Sequence, residues 1–251
     1  MTLKALIFDV DGTLSDTERD GHRPAFNAAF AEVGVDWHWD EALYGKLLAV
    51  TGGKERIKYY VESFLPPERR PQNIEQLAAD IHRIKTRCYM ELVSQGGLPL
   101  RPGVRRLLED ARAAGLRLAI ATTTTPANVA ALLQHSLGAG TESWFEVIAA
   151  GDIVPAKKPA PDIYVWALDA LKLAPTECVA FEDSGNGIRA SLGAGIPTLV
   201  SVNGYTLDDQ FDGALAVVSD LGEPEAPCQV LQGDLTGASI IDVALLKRWS
   251  D

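Results

Sequence analysis

The feature that most constrains the fold is a change of period near Leu98. From there on, short apolar runs alternate with helical stripes. Leu116 to Ala121, Phe145 to Ala150, Cys178 to Phe181 and Thr198 to Val202 read as strands, and Ala214 to Val218 as one more. Between them, Pro102 opens a helix whose inner face is Val104, Leu107, Leu108 and Ala111. Further helices run from Pro126 to Leu137, from Pro161 through Leu173 and from Ile188 to Ala194. Uninterrupted apolar runs suit strands buried on both faces, and alternation of this kind predicts a doubly wound parallel α/β sheet. Another strand, Leu6-Ile7-Phe8, opens the chain. The carboxyl ends of parallel strands share one edge, so polar residues at those ends meet even when far apart in sequence.

The first strand stops abruptly at Asp9-Val10-Asp11-Gly12-Thr13. Two carboxylates delivered into a glycine turn repel each other, so a cation between them is expected, and few dedicated oxygen ligands suit Mg²⁺. Three other strand ends are polar: Thr122 with Thr123 to Thr125, the loop bearing Lys157 and Lys158, and Glu182-Asp183. Taken singly, each has a plain reading: a D-G turn, capping threonines, a solvated basic pair, an acidic helix cap. Four such coincidences on one sheet edge point instead to a site.

Residues 16 to about 96 carry helical stripes: Phe26, Ala29, Phe30 and Val33, then Ile57, Tyr60, Val61 and Phe64, then Leu77, Ile81, Ile84 and Cys88. Prolines 66, 67 and 71 interrupt them. A helical block inserted after the first strand predicts two domains, a core of residues 1–16 and 97–251 and a helical domain of residues 17–96. Within the insert, polar groups crowd Thr17 to His22, with Glu18 and His22 as candidates to meet a substrate and Tyr44 as another. Thr51-Gly52-Gly53-Lys54-Glu55-Arg56 permits close backbone approach at Gly52 and Gly53 and supplies charge from Lys54 or Arg56. His38, His82 and His135 read as structural. Ile240 to Trp249 reads as a helix in a tail with no functional signal.

The net charge of −11 argues against nucleic acid or an anionic membrane surface as partner. It leaves an anionic substrate open, because local cations and a metal override the global sign. Three scattered cysteines fit a reduced, cytoplasmic setting, and no run is long enough for a membrane helix. Met1 stands almost directly before the first strand, so no signal or transit peptide is expected.

The four strand ends resemble, in order and type, the four motifs of the haloacid dehalogenase superfamily, most of whose members are Mg²⁺-dependent phosphatases. The resemblance implies a Rossmann-like core and assigns roles. Asp9 would be the nucleophile that forms an aspartyl-phosphate, and Asp11 the general acid and base. Thr122 would bind a phosphoryl oxygen, and Lys158 would offset charge between nucleophile and phosphate. Asp9, the Asp11 backbone carbonyl and Asp183, with Glu182 beside it, would hold Mg²⁺. The insert resembles the helical cap of the β-phosphoglucomutase and phosphoglycolate phosphatase branch. Thr17 to Arg23, the Trp37 and Trp39 pair, and Thr51 to Ile57 resemble CbbY-type proteins, whose described activity is dephosphorylation of xylulose 1,5-bisphosphate to xylulose 5-phosphate, clearing a Rubisco inhibitor. A bisphosphate suits the residues: one phosphate meets Asp9 and Mg²⁺, and Lys54 or Arg56 offers a second cation site. Thr124 and Asn128 are further candidates for the second phosphate or the sugar hydroxyls. A monomeric enzyme acting on a small sugar phosphate is expected. A phosphosugar mutase, a phosphatase for another small ester such as phosphoglycolate, and a non-catalytic binder remain alternatives, and dehalogenation ranks last.

Overall fold

No side chain of β1 (Ala5–Phe8) reaches solvent on either face. In a strand, successive side chains point to opposite faces. Ala5 and Ile7 therefore face one layer and Leu6 and Phe8 the other, and only a helix-covered central strand can satisfy both. The computed structural model describes residues 2–96 and 98–250. They form two compact units, residues 1–16 with 99–251 and residues 17–98.

The helical unit begins with a π-helical turn at Glu18–His22 and continues through α1 (Arg23–Val33), α2 (Glu41–Leu47), α3 (Gly53–Phe64) and α4 (Ile74–Ser94). Its core is aromatic. Trp39 is fully buried among Phe26, Phe30, Tyr44 and Tyr60, with ring centroids 4.7 to 5.9 Å away. Asn27 fixes this tryptophan by donating to the Trp39 carbonyl at 2.9 Å and accepting from the Trp39 amide at 2.8 Å. Phe64 departs from the inward stripe. It is 40% exposed and stacks on Tyr60, because α3 ends there in an extended Leu65.

The other unit continues with α5 (Val104–Ala113), β2 (Arg117–Thr122), α6 (Pro126–Ser136), β3 (Phe145–Ala150), α7 (Asp162–Leu171), β4 (Cys178–Glu182), α8 (Gly185–Gly193), β5 (Thr198–Ser201), β6 (Ala216–Val218), β7 (Val230–Gly233) and α9 (Val243–Ser250). The sheet order is β3-β2-β1-β4-β5-β6-β7. It is a doubly wound, Rossmann-like α/β sheet. Ala5, Ile7, Ala119, Ala121 and Ala180 lie against Ile163, Tyr164, Ala167 and Leu171 of α7. On the other side Phe8 stacks on Phe181 at 4.4 Å. Small residues on the α7 side let the helix approach closely, and burial of the larger ones removes apolar area worth about 25 cal/mol per Å².

Three local expectations change. β7 is an antiparallel edge strand, so the sheet is not wholly parallel. Its residues are all exposed, which is why no apolar run announced it. The helix after Pro102 begins at Val104, because Gly103 takes a left-handed φ of +79° and sits where a Cβ would lie 2.4 Å from the Gly222 carbonyl. The tail helix is Val243–Ser250, three residues shorter at its start than the apolar pattern suggests.

Register brings the strand ends level. Phe8 pairs with Ile120 of β2 and with Phe181 of β4. The next residue along β1 is Asp9, and the next along β4 is Glu182. Because Phe8 fills the centre of this layer, Phe8→Ala is expected to cost about 3–5 kcal/mol. Urea unfolding measures it, and a loss under about 1 kcal/mol would contradict the packing described.

Candidate active site

Two of the polar strand ends are held by specific backbone devices. After β1 the chain turns at Gly12, whose φ is +88°. Leu14 donates to the Val10 carbonyl at 2.9 Å, and Gly12 to the Ser15 carbonyl at 2.8 Å. No other residue fits there: a Cβ on Gly12 would come within 2.3 Å of Asp183 Oδ2 and 2.6 Å of Asn203 Nδ2. At the end of β4, Ser184 caps α8 by accepting from the Gly187 amide at 3.2 Å. Gly187 also leaves room for Glu182, whose Oε2 would lie 1.8 Å from an added Cβ.

Lys158 stands at the centre. Its Nζ donates to Asp9 Oδ1 at 2.7 Å, to Glu182 Oε1 at 2.6 Å and to the Ala121 carbonyl at 2.9 Å. All three donors of the ammonium are thereby used. Tyr164 of α7 donates its hydroxyl to the same Glu182 oxygen, and its ring lies 5.1 Å from the ammonium. Lys158, Asp9, Glu182 and Asp183 are all buried.

Lys158 among these carboxylates and Arg101 near Asp183 still leave an excess of negative charge. Asp9, Glu182 and Asp183 each offer an oxygen within 4.8 Å of the others. Burial, reinforced by Glu182 and Asp11, outweighs the Lys158 charge and raises the Asp9 carboxyl to about 7. Burial, with Asp9 and Glu182 adding repulsion, also pushes Asp183 well up. On Lys158 burial acts to lower the pKa, but the two carboxylates outweigh it and push it up. Glu182 Oε2 has no hydrogen-bond partner among the described residues. A buried carboxylate oxygen left unpaired costs free energy, and the hard-oxygen donor set is one a Mg²⁺-type cation takes. Asp9, Glu182 and Asp183 therefore fit a divalent metal.

Thr122 ends β2 beside Ala121 and is fully buried. Its Oγ1 accepts from the Thr124 amide at 3.3 Å. Asn128 donates to Thr124 Oγ1 at 3.0 Å, and its buried Oδ1 finds no partner among the described residues. Asp11 is half-buried on the turn.

The candidate residues of the helical unit form their own groups. Tyr44 donates to Glu18, Arg56 Nη1 donates to the Tyr44 hydroxyl at 2.8 Å, and the same nitrogen lies 3.6 Å from Glu18 Oε2. Arg56 is thus a buried side chain tied to Glu18 and Tyr44. Lys54 is half-buried in the first turn of α3, just after Gly52 at φ +99°. A Cβ on Gly53 would meet His82 at 2.6 Å. His22 is buried, with Nδ1 2.8 Å from Lys85 Nζ.

Several residues around the site carry no local sequence signal. Tyr164 looks like one more apolar position of α7. Asn203 donates to Asp183 Oδ2 at 2.7 Å from a loop after β5. Arg101 is buried and donates to the carbonyls of Ser201 at 2.9 Å and Ser219 at 2.7 Å, and also to those of Gly12 and Val202. Nothing in the sequence marks Arg101, because burial is not legible there.

A family model described as haloacid dehalogenase-like hydrolase matches residues 3–195. The chain belongs to that family. It is 51% identical over 249 residues to the CbbY protein encoded on a plasmid of Cupriavidus necator, covering 98% of this chain and 96% of that protein. The crystal structure of CbbY from Rhodobacter sphaeroides in complex with phosphate matches with a TM-score of 0.81 at 46% identity, over 87% of this chain and 95% of that one. A mutant of that protein, crystallised with xylulose-(1,5)bisphosphate, matches equally, with the same TM-score, identity and coverage. The chain is accordingly a haloacid dehalogenase-like hydrolase with phosphatases among its relatives. No helix among the described residues is long and apolar enough to cross a membrane.

The raised Asp9 carboxyl has a consequence for stability. Between its ordinary value of 3.8 and about 7, folded Asp9 keeps a proton that the unfolded chain has released. The folded state then binds more protons, so its stability falls as pH rises through that window. In chelator, the melting temperature of the wild type should drop more between pH 5 and pH 8 than that of Asp9→Asn, which cannot ionise there. Equal drops would contradict the charge balance described.

Proposed function

We propose that the protein is a Mg²⁺-dependent sugar-phosphate phosphatase that works through an aspartyl-phosphate on Asp9 and hydrolyses xylulose 1,5-bisphosphate to xylulose 5-phosphate. The observation that carries the mechanism is Lys158 Nζ bridging Asp9 Oδ1 at 2.7 Å and Glu182 Oε1 at 2.6 Å in a buried carboxylate cluster. A buried lysine held against a carboxylate has one oxygen of that carboxylate engaged and the other left to attack.

Asp9, the Asp11 backbone carbonyl and Asp183 would hold Mg²⁺, with Glu182 alongside. The bound ion supplies charge compensation for an anionic nucleophile facing an anionic ester. In the first step an Asp9 oxygen bonds to phosphorus and the bond to the sugar oxygen breaks, while Asp11 gives its proton to that oxygen. In the second, water attacks the phosphoryl group, its proton returns to Asp11, and the Asp9–phosphorus bond breaks to release inorganic phosphate. Lys158 offsets charge on the transferring group, and Thr122 donates to one of its oxygens.

The helical unit, residues 17–98, serves in this reading as a cap that excludes water and reads the substrate. Lys54, at the first turn of α3 after Gly52 and Gly53, meets the distal phosphate. Arg56 acts by fixing Glu18 and Tyr44, whose oxygens, with His22, address the sugar hydroxyls. A site whose buried hydrogen-bonding groups are left unpaired by the wrong isomer discriminates strongly, which is what separating xylulose from ribulose bisphosphate requires. The Asn128 Oδ1 atom, buried and without a partner among the described residues, is an acceptor available to a hydroxyl. Support for the substrate comes from the Rhodobacter sphaeroides relative crystallised with xylulose-(1,5)bisphosphate.

The test is phosphate release from xylulose 1,5-bisphosphate, ribulose 1,5-bisphosphate, phosphoglycolate and β-glucose 1-phosphate, with Mg²⁺ and with chelator. Fast, Mg²⁺-dependent release from the xylulose compound, with the others slower by about tenfold or more, is expected. Asp9→Asn should reduce turnover by several orders of magnitude. Faster release from another ester would overturn the substrate. Isomerisation of a sugar phosphate with little free phosphate would make the protein a mutase.

A further inference from the structure

We infer that Asn203 is a positioning residue of the metal site: its side-chain amide fixes which oxygen of Asp183 faces the cation. The inference rests on the metal reading above.

The orientation of the Asn203 amide is set by its neighbours. Its Oδ1 accepts from the Tyr205 amide at 2.9 Å, so Nδ2 is the end that faces Asp183. That Nδ2 donates to Asp183 Oδ2 at 2.7 Å. The donor occupies Oδ2 and leaves Oδ1 as the oxygen available to a cation. An amide does this without adding positive charge, which would compete with the metal. A lysine here would stabilise the carboxylate but repel the ion.

The amide is itself rigidly held. The Asn203 backbone N–H donates to Thr206 Oγ1 at 3.0 Å, and the Thr206 N–H returns to the Asn203 carbonyl at 3.1 Å. Arg101 fixes the two preceding residues, donating to the Ser201 carbonyl at 2.9 Å and to that of Val202. The same guanidinium donates to the Gly12 carbonyl, on the turn that follows Asp9 and Asp11. Gly12 closes the arrangement, since any Cβ there would strike both Asp183 Oδ2 and Asn203 Nδ2. Three strand ends thus converge on one carboxylate–amide contact. Partners of this kind behind a metal-binding carboxylate are typically worth 10- to 100-fold in metal affinity.

A purely structural asparagine and a positioning one differ in a measurable way. Ligand binding raises the melting temperature once the ligand concentration passes its Kd, and the rise then grows with the logarithm of concentration over Kd. We would measure the melting temperature of the full-length wild type, Asn203→Ala and Asn203→Ser across a Mg²⁺ titration, together with the Mg²⁺ dependence of phosphate release. The expected result is a Mg²⁺-dependent rise in the wild type whose onset moves to at least tenfold higher Mg²⁺ in Asn203→Ala. At saturating Mg²⁺, turnover should recover substantially. Asn203→Ser, which retains a donor, should lie between. If Asn203→Ala lowers the melting temperature equally at every Mg²⁺ concentration and keeps the wild-type onset, the residue is only structural and the inference is overturned. If the wild type shows no Mg²⁺ response at all, the metal reading fails and takes the inference with it.

Discussion

The rest of the structure depends on placing several carboxylates at one buried point of a sheet edge. Such a cluster is unfavourable in isolation. Burial and mutual repulsion raise the Asp9 and Asp183 carboxyls, while the Lys158 ammonium ties Asp9 to Glu182 and Arg101 offsets part of the charge on Asp183. A buried ion pair contributes little net stability, but removing one partner leaves an uncompensated charge at a cost of about 3–5 kcal/mol. The cluster is therefore maintained by the surrounding fold and adds little to its stability.

That fold supplies rigidity where the charges need it. Parallel strands bring Asp9 and Glu182 level without any contact between them in sequence. Alanines on the α7 side of the sheet allow Tyr164 to reach Glu182 through the layer below. Gly12 and Gly187 are required for space as much as for flexibility, since side chains there would occupy the positions of Asp183 and Glu182 oxygens. The helical unit uses the same economy of means: an aromatic core fixes α1 to α3, and on that base Glu18, Tyr44 and Arg56 form a connected polar group.

Much of this was legible in the sequence. Apolar runs that stop at Asp9, Thr122 and Glu182-Asp183 announce both a parallel sheet and its working edge, because burial on both faces and ligand binding at strand ends leave a joint pattern. Other parts had no local trace. β7 is fully exposed, so it lacks the apolar signature of a strand. Asn203 lies 20 residues after Asp183 in a loop, and only the register of β4 with β5 brings them together. Arg101 acts on carbonyls up to 118 residues away, contacts that side-chain chemistry alone does not specify. Tyr164 hides within a helical apolar stripe because its ring belongs to the core while its hydroxyl serves the site.

The proposed mechanism stands on Asp9 carrying the phosphoryl group. Rapid quenching during turnover, followed by borohydride reduction and peptide mapping, tests it directly, because reduction of an aspartyl-phosphate leaves homoserine at the modified position. Homoserine is expected at residue 9 in quenched wild-type samples and absent from samples lacking substrate. Modification at another residue, or none while phosphate release continues at a slow, trappable rate, would contradict it.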